Sequence, residues 1–136
     1  MTYQGSCLCG SVEFEVSGGI DSVIHCHCSL CRKSTGTAYA TNGYAASDTF
    51  IIHKGADNLS SFSFKPGSHR HFCTTCGSPI YSSNDADSAR IRVRLGTITS
   101  DISERPESHN FMSSKANWDT FDSPLPQYEG LEPGRG

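Results

Sequence analysis

A chain of 136 residues is sized for one domain. Leu, Ile, Val and Phe make up only about 18% of it, under the roughly 20% at which a core becomes hard to build, yet a formal net charge of −3 is too small to hold it unfolded. Such a composition calls for staples. Mild acidity, with a pI near 6.0, argues against partnership with nucleic acid or anionic membrane, and no stretch approaches the roughly 18 apolar residues needed to cross a bilayer.

Residues 1–24 contain Glu13, Glu15 and Asp21 but neither a basic start nor a long apolar run, so no secretory signal is read and a cytoplasmic location is expected. In a reducing compartment clustered cysteines serve metal or chemistry more often than disulfides. Period-two alternation then recurs along the chain. Val12, Phe14 and Val16 alternate with Glu13 and Glu15. Gly18-Gly19 reads as a turn, 29–34 as a short helix, Asn42-Gly43 as a second turn and 49–53 as a β-rich run. Phe62 and Phe64 share a face, Pro66-Gly67 is a third turn, and Ile91, Val93 and Leu95 alternate with Arg90, Arg92 and Arg94. The prediction is a mainly β domain of short antiparallel strands over 1–130. Beyond about 104, four prolines break any long element. Trp118, Phe121, Leu125 and Tyr128 are apolar enough for 109–128 to pack as an extended flap, and 131–136 reads as a poorly ordered Pro/Gly-rich tail.

Seven cysteines fall into three groups: Cys7 and Cys9; Cys26, Cys28 and Cys31; Cys73 and Cys76. An odd number excludes full disulfide pairing within the chain. Structural zinc takes four ligands and catalytic zinc takes three plus an open position, so seven divides naturally as four and three. Gly10 follows Cys9 and Gly77 follows Cys76; a glycine there permits positive φ, which folds the backbone back and aims its N–H groups at the sulfurs. Cys7, Cys9, Cys73 and Cys76 are therefore assigned to one closed zinc site, and Cys26, Cys28 and Cys31 to an open catalytic one. Alternatives are a redox dithiol at Cys73/Cys76, a metal-free triplet, or a triplet completed by His25 or His27. A zinc deaminase is disfavoured, because its His-x-Glu and Pro-Cys-x-x-Cys signatures are missing.

Three thiolates leave zinc with a formal charge of −1, poor for making hydroxide and better suited to a soft fourth ligand such as a substrate thiol. That points to carbon–sulfur bond making or breaking on a thiol–aldehyde adduct. Arg32 and Lys33 could offset the negative site, bind substrate carboxylates or form a solvated turn. Arg90, Arg92 and Arg94 read as a solvated strand face paired with Glu13 and Glu15, or as contacts for an anionic thiol. His109 could reach the open zinc as an acid/base, whereas His53, His69 and His71 read as strand residues. The competing class is a non-catalytic zinc-stapled module that binds protein or nucleic acid.

The segments Gly5-Ser6-Cys7-Leu8-Cys9-Gly10, His25-Cys26-His27-Cys28-Ser29-Leu30-Cys31-Arg32-Lys33 and Phe72-Cys73-Thr74-Thr75-Cys76-Gly77-Ser78-Pro79 resemble the glutathione-dependent formaldehyde-activating enzyme family, which includes centromere protein V. Ser113-Ser114-Lys115-Ala116-Asn117-Trp118 and Leu125-Pro126-Gln127-Tyr128 resemble its C-terminal segment. The resemblance implies an Mss4-like fold of small stacked antiparallel sheets stapled by zinc. It also implies a structural zinc on Cys7, Cys9, Cys73 and Cys76, a catalytic zinc on Cys26, Cys28 and Cys31, and formation or cleavage of S-hydroxymethylglutathione.

Overall fold

A computed structural model describes residues 1–121 and 124–135. Positions 122, 123 and 136, which belong to the expected flap and tail, lie outside the described residues. Among the described residues the chain is mainly β. Strands β1 (Thr2–Ser6), β2 (Glu13–Ser17) and β5 (Phe50–Lys54) form a three-stranded antiparallel sheet. The second sheet runs in the order β10-β3-β4-β9-β8-β7-β6. Its members are β3 (Asp21–Cys26), β4 (Ala40–Ala46), β6 (Leu59–Phe62), β7 (Ser68–Cys73), β8 (Pro79–Asn84), β9 (Arg90–Arg94) and β10 (Ser108–Asn110). One helix, α1 (Ser29–Thr35), follows β3, as expected. The edge strand β10 lies parallel to β3, against the all-antiparallel expectation. No helix among the described residues is long and apolar enough to cross a membrane.

The sheets meet across one apolar core. Val12, Phe14 and Val16 are buried there, as their alternation with Glu13 and Glu15 predicted. The larger sheet contributes Val23, Ala45, Ile91 and Val93. Side chains alternate between faces along a strand, so β4 sends Ala45 inward and presents Asn42 and Tyr44 on the other face. Register then aligns Asn42 with Arg94 and Tyr44 with Arg92 across β9, Arg92 with Ser82 across β8, and Ser82 with Arg70 across β7. One face of the large sheet makes the core; its other face carries a row of polar and basic groups.

The three expected turns meet different fates. Gly18, Gly19 and Gly67 have positive φ, as turns require. Asn42-Gly43 is not a turn but lies within β4. A Cβ on Gly43 would stand 2.1 Å from Ile20 Cγ2, so glycine is there because Ile20 packs closely over the strand. Gly43→Ala should therefore cost about 1–3 kcal/mol through overpacking, read as a lower urea midpoint at an unchanged slope; an unaltered midpoint would show that the layers yield freely.

The flap is only partly formed. Ala116 is buried and Phe121 touches the body, but Trp118, Leu125 and Tyr128 are 65%, 74% and 53% exposed and do not pack as expected. Nearer its start the segment is anchored by Glu104, whose carboxylate accepts from the Tyr3 hydroxyl and from the Ile20 N–H at 2.7 Å. Burial works against its charge, but these hydrogen bonds win and hold its pKa down to about 2.

Candidate metal centres and the basic cavity

Two groups of sulfurs converge. Those of Cys7, Cys9, Cys73 and Cys76 all lie within 4.8 Å of one another, and so do those of Cys26, Cys28 and Cys31. Each group could hold a metal ion. The predicted division into four and three is the one the fold brings about.

The four-sulfur group is built from two tight turns. After β1, Gly10 at φ +80° turns the chain so that the Val12 N–H donates to Cys7 Sγ at 3.2 Å. After β7, Gly77 at φ +78° lets its N–H reach the Cys73 carbonyl at 2.8 Å. The Leu8 N–H donates to Ser78 Oγ at 2.9 Å and ties the turns together. Ser78 Oγ lies 3.2 Å from Cys76 Sγ and Ser11 Oγ 3.1 Å from Cys9 Sγ. The Ser78 hydroxyl and N–H draw the Cys76 thiol down to about 5, and the Ser11 hydroxyl and N–H lower Cys9. Thiolates about 2.3 Å from a tetrahedral zinc would stand about 3.8 Å apart. Cys7 and Cys9 are 3.6 Å apart, Cys9 and Cys73 3.8 Å. The donor set fits that ion, and the redox-dithiol alternative gains nothing from a pair embedded in a set of four.

The three-sulfur group is local. Cys26 ends β3, Cys28 caps α1, and Cys31 sits within the helix. The Cys31 N–H donates to Cys28 Sγ at 3.3 Å, and Gly36 closes the helix in the left-handed region. Burial pushes the Cys26 thiol up to about 12. Burial also acts on Cys28, but the Cys31 N–H and the neighbouring sulfurs outweigh it and lower that thiol. Neither His25 nor His27 joins the group. Pairing of His25 with Thr41 and Cys26 with Ala40 across β4 sends His25 to the face opposite Cys26.

His109 goes with those histidines. It lies opposite His25 on β10, and its Nδ1 is 3.0 Å from Nε2 of the fully buried His27. Tyr39 and Phe121 complete this aromatic group. His109 is thus engaged with His27 and does not line the cavity beside Cys31. His53, His69 and His71 are strand residues, as expected: His53 pairs with Glu15, His69 with Asp85, and His71 stacks on Tyr81.

Cys31 forms part of the wall of a cavity of about 200 Å³ on the sheet face away from the core, together with Asn42, Lys65, Arg70, Arg92 and Arg94. The arginine strand is therefore not one solvated face. Arg90 is exposed and bonded to Asp87 at 2.6 Å, Arg92 lies over the Tyr44 ring, and Arg94 is 6% exposed and donates to Asn42 Oδ1. None pairs with Glu13 or Glu15, because β9 and β2 belong to different sheets. Burial pushes Arg94 below the usual arginine range, opposed by the nearby Cys31 sulfur. Arg32 and Lys33 do not line this cavity, although they follow Cys31 directly. Lys65 and Arg70 do, and no local pattern marked them, because β7 comes within reach of the β9 arginines only across β8.

Fold and sites together define a two-sheet β protein with one closed and one three-thiol cluster, each able to take a metal ion. Residues 2–114 match the model of the family described as glutathione-dependent formaldehyde-activating enzyme, and the chain belongs to that family. A Halomonas elongata protein bearing the family's name is 32% identical over 132 residues, covering 90% of this chain and 83% of the relative. A crystal structure of a Rhodobacter sphaeroides protein shares the fold, with a TM-score of 0.63 at 23% identity, over 78% of this chain and 98% of that one.

Proposed function

We propose that this chain is a zinc-dependent carbon–sulfur lyase, or synthase in reverse, acting on S-hydroxymethylglutathione or a related thiol–aldehyde adduct. Cys7, Cys9, Cys73 and Cys76 hold a structural zinc that staples an Mss4-like fold. Cys26, Cys28 and Cys31 hold a second, open zinc. Residues 1–130 form the single zinc-binding domain with 131–136 as a tail, and the enzyme works in the cytoplasm. The observation that carries this reading is the three-thiol cluster whose Cys31 lies in the wall of a basic cavity; family membership supports the choice of thiol and aldehyde.

A zinc ion on the triplet would supply acidity, keeping a substrate thiol as its thiolate at neutral pH. The protein's own groups do the rest. The Cys31 N–H and the helix cap hold Cys28 in place. Ala40 and Ile24 pack against Cys26 and Cys31 and keep that side of the cluster dry. In synthesis the substrate thiolate adds to the aldehyde carbon, the carbon–oxygen π pair moves to oxygen, and that oxygen takes a proton from water. In cleavage the hydroxyl gives up its proton, the carbonyl re-forms, and the carbon–sulfur pair leaves with sulfur. The basic cavity favours the oxyanion common to both directions.

Turnover of S-hydroxymethylglutathione should appear in the zinc-loaded protein, disappear when a chelator strips the open site, and return on adding back one zinc per chain. Two tightly held zinc ions per chain and no turnover of any thiol–aldehyde adduct would favour the non-catalytic module instead.

A further inference from the structure

The cavity beside Cys31 holds a cation whose partner is not a carboxylate. Arg94 is more than nine-tenths buried, its Nη1 donates to the neutral Asn42, and its Nε is buried with no hydrogen-bond partner. Among the described residues it has no carboxylate within ion-pair distance, and a buried guanidinium left so is costly to the fold. Asp85, the acid bonded at 3.0 Å to His69 of the same cavity wall, is largely exposed and engaged there.

Register supplies the missing partner. Asn42 pairs with Arg94 across β9, and Ala40 pairs with Cys26 across β3. Ala40 and Asn42 stand two residues apart on β4, so all four side chains share the face away from the core. Cys26 and Cys31 are buried against Ala40, and Cys31 lines the cavity with Arg94. The sulfurs of Cys31 and Cys26 favour the charge of Arg94, against burial and against Arg70 and Arg92. The basic residues beside the triplet in sequence are worse placed: Arg32 is half-buried, Lys33 is exposed, and neither lines the cavity.

Building on the lyase reading, we propose that Arg94 is the built-in counter-cation of the three-thiol site, a positioning residue that offsets the negative charge a bound substrate thiolate adds. Zinc on three thiolates already carries a net negative charge, and a fourth thiolate adds another as the thiol proton goes to water. That second charge forms against a buried wall, where a fixed cation counts for more than a solvated one. A carboxylate paired with Arg94 would cancel the cation before the thiol arrived. Asn42 satisfies one guanidinium donor and leaves the charge intact.

Cobalt in place of zinc makes the site visible, because thiolate-to-cobalt charge transfer absorbs more strongly with each sulfur bound. The full chain, loaded with cobalt at both sites, is titrated with mercaptoethanol, a thiol with neither carboxylate nor ammonium, so that only charge at sulfur is read. The absorption of the parent should rise with thiol. Arg94→Met should need about tenfold more thiol for the same rise, and Arg94→Lys, which keeps the charge, should stay close to the parent. Should Arg94→Met fail to fold, Asn42→Asp places a carboxylate where Arg94 already donates and should raise the thiol requirement by a similar factor. Arg32→Gln, and Arg90→Gln at an exposed position engaged with Asp87, should titrate like the parent. A folded Arg94→Met or Asn42→Asp protein that takes the thiol as readily as the parent overturns the inference, as does a loss confined to Arg32→Gln; with adduct turnover intact, either result leaves the lyase reading standing. A parent that takes no thiol at cobalt overturns the inference and the open site together. Thiol uptake that depends on Arg94, with no adduct turned over, upholds the counter-cation and overturns the lyase reading alone.

Discussion

Cys76→Ser should abolish folding at ordinary temperatures or lower the melting temperature by about 20 °C or more. Structural zinc binding is itself folding free energy, on the order of 10 kcal/mol in small zinc peptides. Here it would tie the turn after the first strand to the turn after the seventh. Cys7 and Cys9 follow the first strand, Cys73 ends the seventh with Cys76 in the turn after it, and Leu8 N–H to Ser78 Oγ also bridges those turns. Cys76 is the thiol most readily ionised in the set, so its replacement removes the ligand best prepared for metal. The measurement is thermal melting with metal content on the same sample. A Cys76→Ser protein that kept both its melting temperature and two zinc ions would dismiss the closed site.

Cys28→Ser should do the opposite: turnover falls by on the order of 10³-fold or more, while the melting temperature stays within a few degrees. Cys28 is the N-cap of α1 and accepts the Cys31 N–H. Serine is a better helix cap than cysteine, so α1 keeps its first turn. The side chain is half-buried at the edge of the small cluster formed by Cys26, Cys31 and Ala40, so little packing is lost. The open site should hold less than one zinc per chain, and the closed site should remain full. Unimpaired turnover of S-hydroxymethylglutathione by this variant would remove the triplet from the mechanism.

The contrast between these variants is legible in the sequence. Cysteine spacing, with a glycine after Cys9 and after Cys76, sorted seven cysteines into four and three because tight turns leave a local signature. Alternation in β2 and β9 located core strands for the same reason. Other features were closed to sequence reasoning because they depend on which strands become neighbours. Asn42-Gly43 has the composition of a turn, but packing under Ile20 makes it strand. Arg94 looks solvated from its alternation with Val93, yet pairing of β9 with β4 buries it beside Asn42. Lys65 and Arg70 enter the cavity only because β7 lies two strands from β9. His109 was linked to the open site by chemistry alone, whereas a parallel edge strand commits it to His27.

The two cysteine sets also differ in when they can exist. During synthesis from the N-terminus, Cys7, Cys9, Cys26, Cys28 and Cys31 all emerge before Cys73 and Cys76. For that interval the nascent chain displays five thiols, four of which could hold a tetrahedral ion in a non-native set. A metal ion captured then would sit in the wrong company, and reaching the native arrangement would require ligand exchange once β7 arrives. Cys73 and Cys76 are separated from Cys7 and Cys9 by most of the larger sheet, so on the two-zinc reading correct loading would be a late event, and a cell rich in free zinc during translation would be a worse place to make this protein than one that supplies the metal after release.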